Sequence, residues 1–268
     1  MTTDAALYRL MTWLSPAYPV GAYSYSHGIE YAVEAGLVRD RDTLADWIAQ
    51  AVRHGAGLTD AALLAAAWRV SSSPSPPPGA ERVGVRWGMA RNEPTSPSHR
   101  FSDGPLPLPP LGGEGIEGDL DSICALADAW RGSAEMALES RTQGAAFLMA
   151  TRAAWPHPAL DEFALRWRGD AVLPVIVGVA AAAHGIALEP ALIAYLHGFA
   201  SNLVSAGVRL IPLGQTDGQR AIAALEPAIA ATTFAAVHTP LDEIGTAAPM
   251  IDWCSMRHET QYTRLFRS

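Results

Sequence analysis

The chain has 268 residues, 49% of them apolar and only 17% charged, with a formal net charge of −8. All 19 basic residues are arginine, which excludes chemistries that need lysine: the phosphate-binding G-x-x-x-x-G-K-[ST] loop, Schiff-base catalysis and the kinase Lys–Glu pair. Dispersed arginines on an acidic chain also fail to supply the basic stripe that nucleic-acid binding requires. Thr3 caps a first helix, with Leu7, Leu10, Met11 and Leu14 at helical spacing. A second covers Ser26 to Ala35 and stops at Gly36, which adopts the left-handed C′ conformation cheaply. Asp40 or Asp42 opens a third, with Leu44, Trp47, Ile48, Ala51 and Val52 on one face, ending near Gly55; Asp60 to Val70 forms the next.

Composition then shifts. Between residues 71 and 119 lie 10 of the 20 prolines and 8 of the 23 glycines, in runs such as SSSPSPPPG and DGPLPLPPLGGEGIEG. Such a segment cannot propagate a helix and carries too little periodic apolar content to offset its ordering entropy. It is expected to be a disordered surface insertion within one domain spanning 1–268. Helical patterning resumes from Leu120 to Ala154, as one long helix or as two broken near Gly132, then in DEFALRWR. Pro174 and Pro190 suit the first turns of two apolar helices, and His184-Gly185 closes the first of these. Asp217 is expected to cap a last long helix that Pro227 kinks or interrupts. No alternating run competes for a sheet. The expected fold is all-α, a single-domain bundle of about eight to ten helices.

The first residues, MTTDAALYRLMTWL, lack the charged region, apolar stretch and cleavage site of a secretion signal. The most membrane-like stretch, Ala171 to Leu188, is rich in Ala and Gly and interrupted by Pro174 and His184, so a buried core helix is expected, and no membrane span. Cys124 and Cys254 are too few for a disulfide framework or a Cys-rich zinc site and read as reduced cytosolic thiols.

Catalytic arrangements are thin: there is no G-x-S-x-G elbow and no H-E-x-x-H. Ser24 or Ser26 beside His27 points in the wrong directions for proton transfer on a helix. His27, His54, His99, His157, His184, His197 and His238 are isolated, each with the spacing of a helix-end or core histidine. In C-S-M-R-H, an extended strand of chain would put Cys254, Met256 and His258 on one side as soft donors, though no closed-site spacing matches. No catalytic, cofactor or metal residue is assigned.

Two segments depart from ordinary core. S-P-A-Y-P-V-G-A-Y-S-Y-S-H-G-I-E, Ser15 to Glu30, is a stiff, aromatic, hydroxyl-rich loop entering a helix. Its helix start offers N–H groups to an anion, and its tyrosines suit an interface with one dry side. The end, S-M-R-H-E-T-Q-Y-T-R-L-F-R-S, mixes arginines with aromatics, the residue types that dominate binding hot spots. Composition alone leaves packed connector and docking loop, frayed terminus and docking arm, equally open. Together they favour a binding or scaffold protein over an enzyme.

These two segments, with V-R-L-I-P-L-G-Q-T-D-G-Q at 208–219 and E-S-R-T-Q-G-A-A-F-L at 139–148, resemble in order and spacing the signatures of the urease accessory protein F family. Phe or Leu often replaces the tyrosines there, and Leu replaces Ile29. The likeness covers residues 4–70 and about 120–268; the insertion departs from it. It implies an all-α, cytoplasmic, non-catalytic chaperone for nickel insertion into urease. It further implies a bridge between urease accessory protein D and the nickel-carrying GTPase, accessory protein G, on the urease apoprotein, and a homodimer within that complex. Nickel would be handled by the complex and GTP by the partner, with no cofactor held here. Whether the chain gates GTP hydrolysis or forms part of the metal's path is left open by the resemblance. Partner-binding positions implied by it are Pro19, Gly21, Tyr23, Ser24, Tyr25 and Glu30 in the first signature and Arg257, His258, Glu259, Tyr262 and Arg264 in the tail. Arg257 and Arg264 read as interface anchors more readily than as arginine fingers. Pro212, Gly214, Gln215 and Gln219 match the third signature without a single role.

Overall fold

The computed structural model describes residues 3–73, 119–167 and 172–268, all α-helix, 3-10 turn and connecting loop, with no strand among them. The expected insertion at 71–119 lies outside the described residues except at its two ends.

Local signals place most helix ends. Helix α1 (Asp4–Trp13) is capped by the Thr3 hydroxyl, which accepts the Ala6 N–H at 3.2 Å. Helix α2 (Ile29–Glu34) is followed by Gly36 at φ +72°. Helix α3 (Arg41–His54) opens with a reciprocal box between Asp40 and Thr43. Helix α4 (Ala56–Ser72) starts four residues before the expected Asp60, because Gly55 and the end of α3 already turn the chain into it. The break at Gly132 separates α5 (Leu120–Ala129) from α6 (Ala134–Ala154), and α7 (Pro158–Trp167) follows. Pro174 sits in the first turn of α8 (Leu173–Ala183), and Pro190 in that of α9 (Leu188–Leu210).

Two expectations are corrected. Asp217 is not a cap: Gly214 takes that position, and Asp217 lies in the first turn of α10 (Gln215–Ala224), paired with Arg220. Pro227 interrupts the helix, as expected, and sits in the first turn of a new one, α11 (Glu226–His238), since a missing N–H costs nothing there. The segment around Cys254 is not extended; it is helix α12 (Pro249–His258). The described residues form twelve helical segments, the all-α bundle expected.

Helix α4 is the axis of the core. Its run from Gly57 to Ala67 is buried almost throughout, and α3, α5, α8, α9 and α11 pack around it. The small residues let backbones approach: a Cβ on Gly178 of α8 would stand 2.5 Å from the Leu64 carbonyl oxygen of α4. Leu63, Leu64, Ile123 and Ile176 are fully buried there, and each such side chain contributes on the order of 2 kcal/mol. The membrane-like stretch resolves into α8, 11 residues long and buried, too short to cross a bilayer. Helix α9 is long and apolar enough to span, yet 50% of that window is buried against the rest of the chain. Both thiols are free and buried; burial pushes Cys124 up to about 12 and Cys254 up to about 11.

Candidate functional site

The chain leaves α1 into the aromatic loop. Tyr18 turns inward, its hydroxyl 2.8 Å from Thr151 Oγ1, while Tyr23 stays exposed and Tyr25 is buried. Gly21 at φ +75° opens a 3-10 turn, Ala22–Ser24. His27 and Gly28 then both take left-handed backbone, at φ +52° and +76°. That pair cannot continue a right-handed helix, so α2 begins at Ile29 and not at Ser26. A Cβ on Gly28 would lie 2.6 Å from the Ser255 nitrogen, because α12 passes directly beneath. The helix start does not stand open to an anion. Ile29 N–H donates to the Ser26 carbonyl at 3.1 Å, and the Glu30 N–H faces the Ser26 hydroxyl at 3.5 Å.

The tail that follows α12 seats on this loop. Glu30, 7% exposed, accepts the Leu265 N–H on one oxygen at 2.6 Å and the Phe266 N–H on the other at 2.9 Å. The latter oxygen also lies 3.1 Å from His258 Nε2. His258, fully buried, places Nδ1 2.7 Å from Glu135, whose second oxygen accepts from Arg264 at 2.6 Å. Glu259 accepts the Ala134 N–H at the start of α6, where the helix dipole favours a negative charge. Arg267 N–H donates to the Ser24 carbonyl, and the Ser268 carbonyl accepts from both the N–H and the hydroxyl of Ser26. Phe266 is buried beneath the Arg209 guanidinium, 4.3 Å from its ring centre, and Arg209 also donates to the Tyr23 carbonyl.

Behind the tail lies a second layer of buried charge. Glu139 of α6 accepts the Ser268 hydroxyl on one oxygen; its other oxygen meets His27 Nε2 at 2.9 Å and the Gln143 amide at 2.7 Å. Burial pulls the His27 pKa down, but the charge and hydrogen bond of Glu139, aided by Asp60, outweigh it and the pKa rises. Asp60 of α4 pairs with Arg131 at 2.7 Å and accepts the Tyr195 hydroxyl at 2.7 Å. Burial and the neighbouring Asp60 carboxylate raise the Tyr195 pKa well above its ordinary value. His27, Glu139, Asp60, Arg131 and Tyr195 all border one cavity of about 230 Å³.

Among the residues the sequence singled out, Tyr25, Glu30 and His258 are buried, and the latter two hold the tail to its own chain. Pro19, Tyr23, Arg257, Glu259, Tyr262 and Arg264 are exposed; Gly21 and Ser24 are partly so. Loop and tail, singled out separately, meet. The helical form of α12 overturns the three-donor reading: Cys254 and His258, four apart, are buried, while Met256 is 48% exposed on another face. His258 meets carboxylates, not soft donors. Pro212 and Gly214 lie on the turn into α10, Gln215 opens that helix and Gln219 follows in its second turn, all four exposed. His99 lies outside the described residues. Asp60, Arg131, Gln143 and Tyr195 were missed, as was the position of Glu139. For Asp60 the signal was a carboxylate set among the alanines and leucines of an apolar helix.

Comparison with known proteins agrees with the signatures. The UreF family model matches residues 38–226. A urease accessory protein UreF of Granulibacter bethesdensis is 48% identical over 267 residues, covering 100% of this chain and 96% of the relative. UreF proteins of Bradyrhizobium diazoefficiens and Rhodopseudomonas palustris are each 45% identical over 264 residues, covering 98% of this chain and 92% of each relative. The chain therefore belongs to the urease accessory protein UreF family, whose role is in urease maturation.

Proposed function

We propose that this chain is an adaptor chaperone without catalysis of its own. It bridges accessory protein D and the nickel-carrying GTPase, accessory protein G, on apo-urease, and keeps the partner's GTP hydrolysis in step with nickel insertion. It works in the cytoplasm, as a homodimer within that complex. Beyond family membership, one observation supports a docking role. Met250, Trp253 and Met256 project from α12 with 51%, 42% and 48% exposure, and the adjoining tail presents Leu265 at 65% and a wholly exposed Tyr262. Large apolar and aromatic side chains standing out beside arginines are the composition of an interface hot spot. The buried contacts of Glu30 and His258 fix the tail's backbone, so these side chains are presented at little further cost in ordering.

The test is co-purification of the chain with accessory proteins D and G, and urease activation reconstituted with and without it. The double substitution Trp253→Ala and Tyr262→Ala should weaken capture of accessory protein D by roughly a hundredfold, while the loss of the Trp253–Tyr31 edge-to-face contact costs the fold only about 1 kcal/mol. Unchanged capture by that variant would reject the α12 face as the docking surface; activation that proceeds equally well without the chain would reject the adaptor role.

A further inference from the structure

His258, fully buried at the end of α12, sets each ring nitrogen against a different carboxylate. Nδ1 lies 2.7 Å from Glu135 of α6, and Nε2 lies 3.1 Å from Glu30 of α2. An ionised carboxylate only accepts, and a neutral imidazole has a single N–H. With one proton on the ring, one nitrogen lone pair would face a carboxylate oxygen at hydrogen-bond distance, where burial strengthens the repulsion. Neither carboxylate can turn away without giving up other partners. Glu30 accepts the N–H groups of Leu265 and Phe266, and Glu135 accepts from Arg264. The arrangement therefore takes up one proton beyond a neutral imidazole and two carboxylates, whether that proton rests on the ring or is shared with a carboxyl group.

The pattern recurs one turn along α6. His27 Nε2 lies 2.9 Å from Glu139, whose other oxygen accepts the Ser268 hydroxyl. Burial disfavours the His27 imidazolium, but Glu139 and Asp60 outweigh burial and the Arg131 guanidinium, so the pKa is raised. Three carboxylates, Glu30, Glu135 and Glu139, thus hold the tail directly. Among the described residues, the cations paired with them are His258, Arg264 and His27. Other charges nearby are engaged elsewhere: Arg131 with Asp60, Glu34 with the Gln261 amide, Glu259 with the Ala134 N–H, Arg257 over Tyr31 and Arg209 over Phe266. Once both imidazoles are neutral, three carboxylates face Arg264 alone.

We propose that His27 and His258 make the seat of the tail a proton-operated latch, which holds residues 264–268 while both imidazoles are protonated and releases them from α2 and α6 as the pH rises above neutrality. The sign follows from linkage: a proton bound more tightly in the seated state stabilises that state at lower pH, and the contribution is lost as the pH climbs. The latch sets whether the arm is fixed or free, and stands whatever the exposed α12 face binds.

Amide hydrogen exchange of the full chain, followed from about pH 6 to about pH 8.5 and divided by the intrinsic rate at each pH, reads the opening of the tail at Leu265 and Phe266. Protection at both should fall ~10- to 100-fold over that interval, since each linked proton contributes up to about tenfold per pH unit, while Ile176 in the core holds constant. Glu135→Gln keeps an oxygen for Arg264 and offers an N–H to the His258 nitrogen that has lost its proton. At about pH 8.5 its tail should therefore be at least ~5-fold better protected than that of the wild-type chain. His238→Gln, at an exposed histidine of α11, should follow the wild-type profile. The latch is overturned by protection at 265 and 266 that stays constant within about twofold, by a Glu135→Gln tail no better protected at the alkaline end than the wild type's, or by a flat profile in His238→Gln.

Discussion

Glu30 and His258 lie 3.1 Å apart across 228 residues of sequence, and both are buried. The same carboxylate accepts the N–H groups of Leu265 and Phe266, so it fastens the tail at two points and the end of α12 at a third. Hydrogen bonds to a charged acceptor contribute about 1.5–3 kcal/mol each and do not add fully. Glu30→Ala should therefore release the tail at a cost of about 3 kcal/mol. Native-state hydrogen exchange should show protection at Leu265 and Phe266 falling roughly a hundredfold while Ile176 in the core is unchanged. Retained protection at 265 and 266 would mean that Phe266 and Arg209 hold the tail without Glu30.

Gly21 and Gly28 share nearly the same left-handed backbone, at φ +75° and +76°, but differ in surroundings. A Cβ at 21 meets nothing within 4 Å, whereas one at 28 lies 2.6 Å from backbone of α12. Gly21→Ala should cost only the conformational penalty, about 1–2 kcal/mol. Gly28→Ala adds an overlap with main chain that cannot swing aside, bringing the loss to about 3 kcal/mol or more. Urea midpoints of the two variants separate the contributions; equal losses would show that α12 shifts freely.

Where a structural choice is local, the chain announces it: Thr3, Asp40, Gly36 and Pro174 mark helix ends through hydrogen bonds or backbone preferences spanning four residues. The start of α2 was misplaced because His27, not a glycine, takes left-handed backbone beside Gly28, and no propensity signals that. Helix α12 carries a helical stripe of buried residues at 251, 254, 255 and 258. Two of the four, Ser255 and His258, are polar, so the stripe does not register as apolar periodicity. The loop and tail stood out by composition, but their union rests on pairs such as Ser26 with Ser268, 242 residues apart. Periodicity cannot encode such a pairing. Asp60 and Glu139 were hidden for the opposite reason: a lone carboxylate on a helix usually faces water, and only the tertiary fold supplies Arg131, Tyr195 and His27 as partners.

His27 gives the fold a pH dependence whose sign follows from its raised pKa. A group that binds its proton more tightly when folded stabilises the fold fully below its unfolded pKa, near 6.5, and loses that contribution as pH climbs through the folded value. The stability difference between the wild-type chain and His27→Gln should therefore shrink as pH rises from about 6 into the mildly alkaline range. Denaturant titrations of both proteins across that interval measure it. A difference that stays constant, or grows with pH, would show that Glu139 does not hold the imidazolium.

Asp60 tests whether the second buried layer is a structural unit. It is 5% exposed and is the partner of both the Arg131 guanidinium and the Tyr195 hydroxyl. Asp60→Ala strands a buried positive charge; breaking one side of such a pair costs about 3–5 kcal/mol. Tyr195→Phe removes one hydrogen bond and leaves the ion pair, which should cost about 1 kcal/mol. Asp60→Asn keeps the shape and an acceptor but not the charge, and should fall between them. Combining Asp60→Ala with Arg131→Met replaces the stranded charge by an apolar side chain, and should recover part of the loss, since a buried pair is often no more stabilising than well-packed apolar residues. The ordering of thermal midpoints, Tyr195→Phe highest and Asp60→Ala lowest with the double variant above Asp60→Ala, distinguishes a stranded charge from a simple cavity. A double variant below Asp60→Ala would show instead that the Arg131 side chain, which closes the end of α5 through its bond to the Ala127 carbonyl, stabilises the fold independently of Asp60.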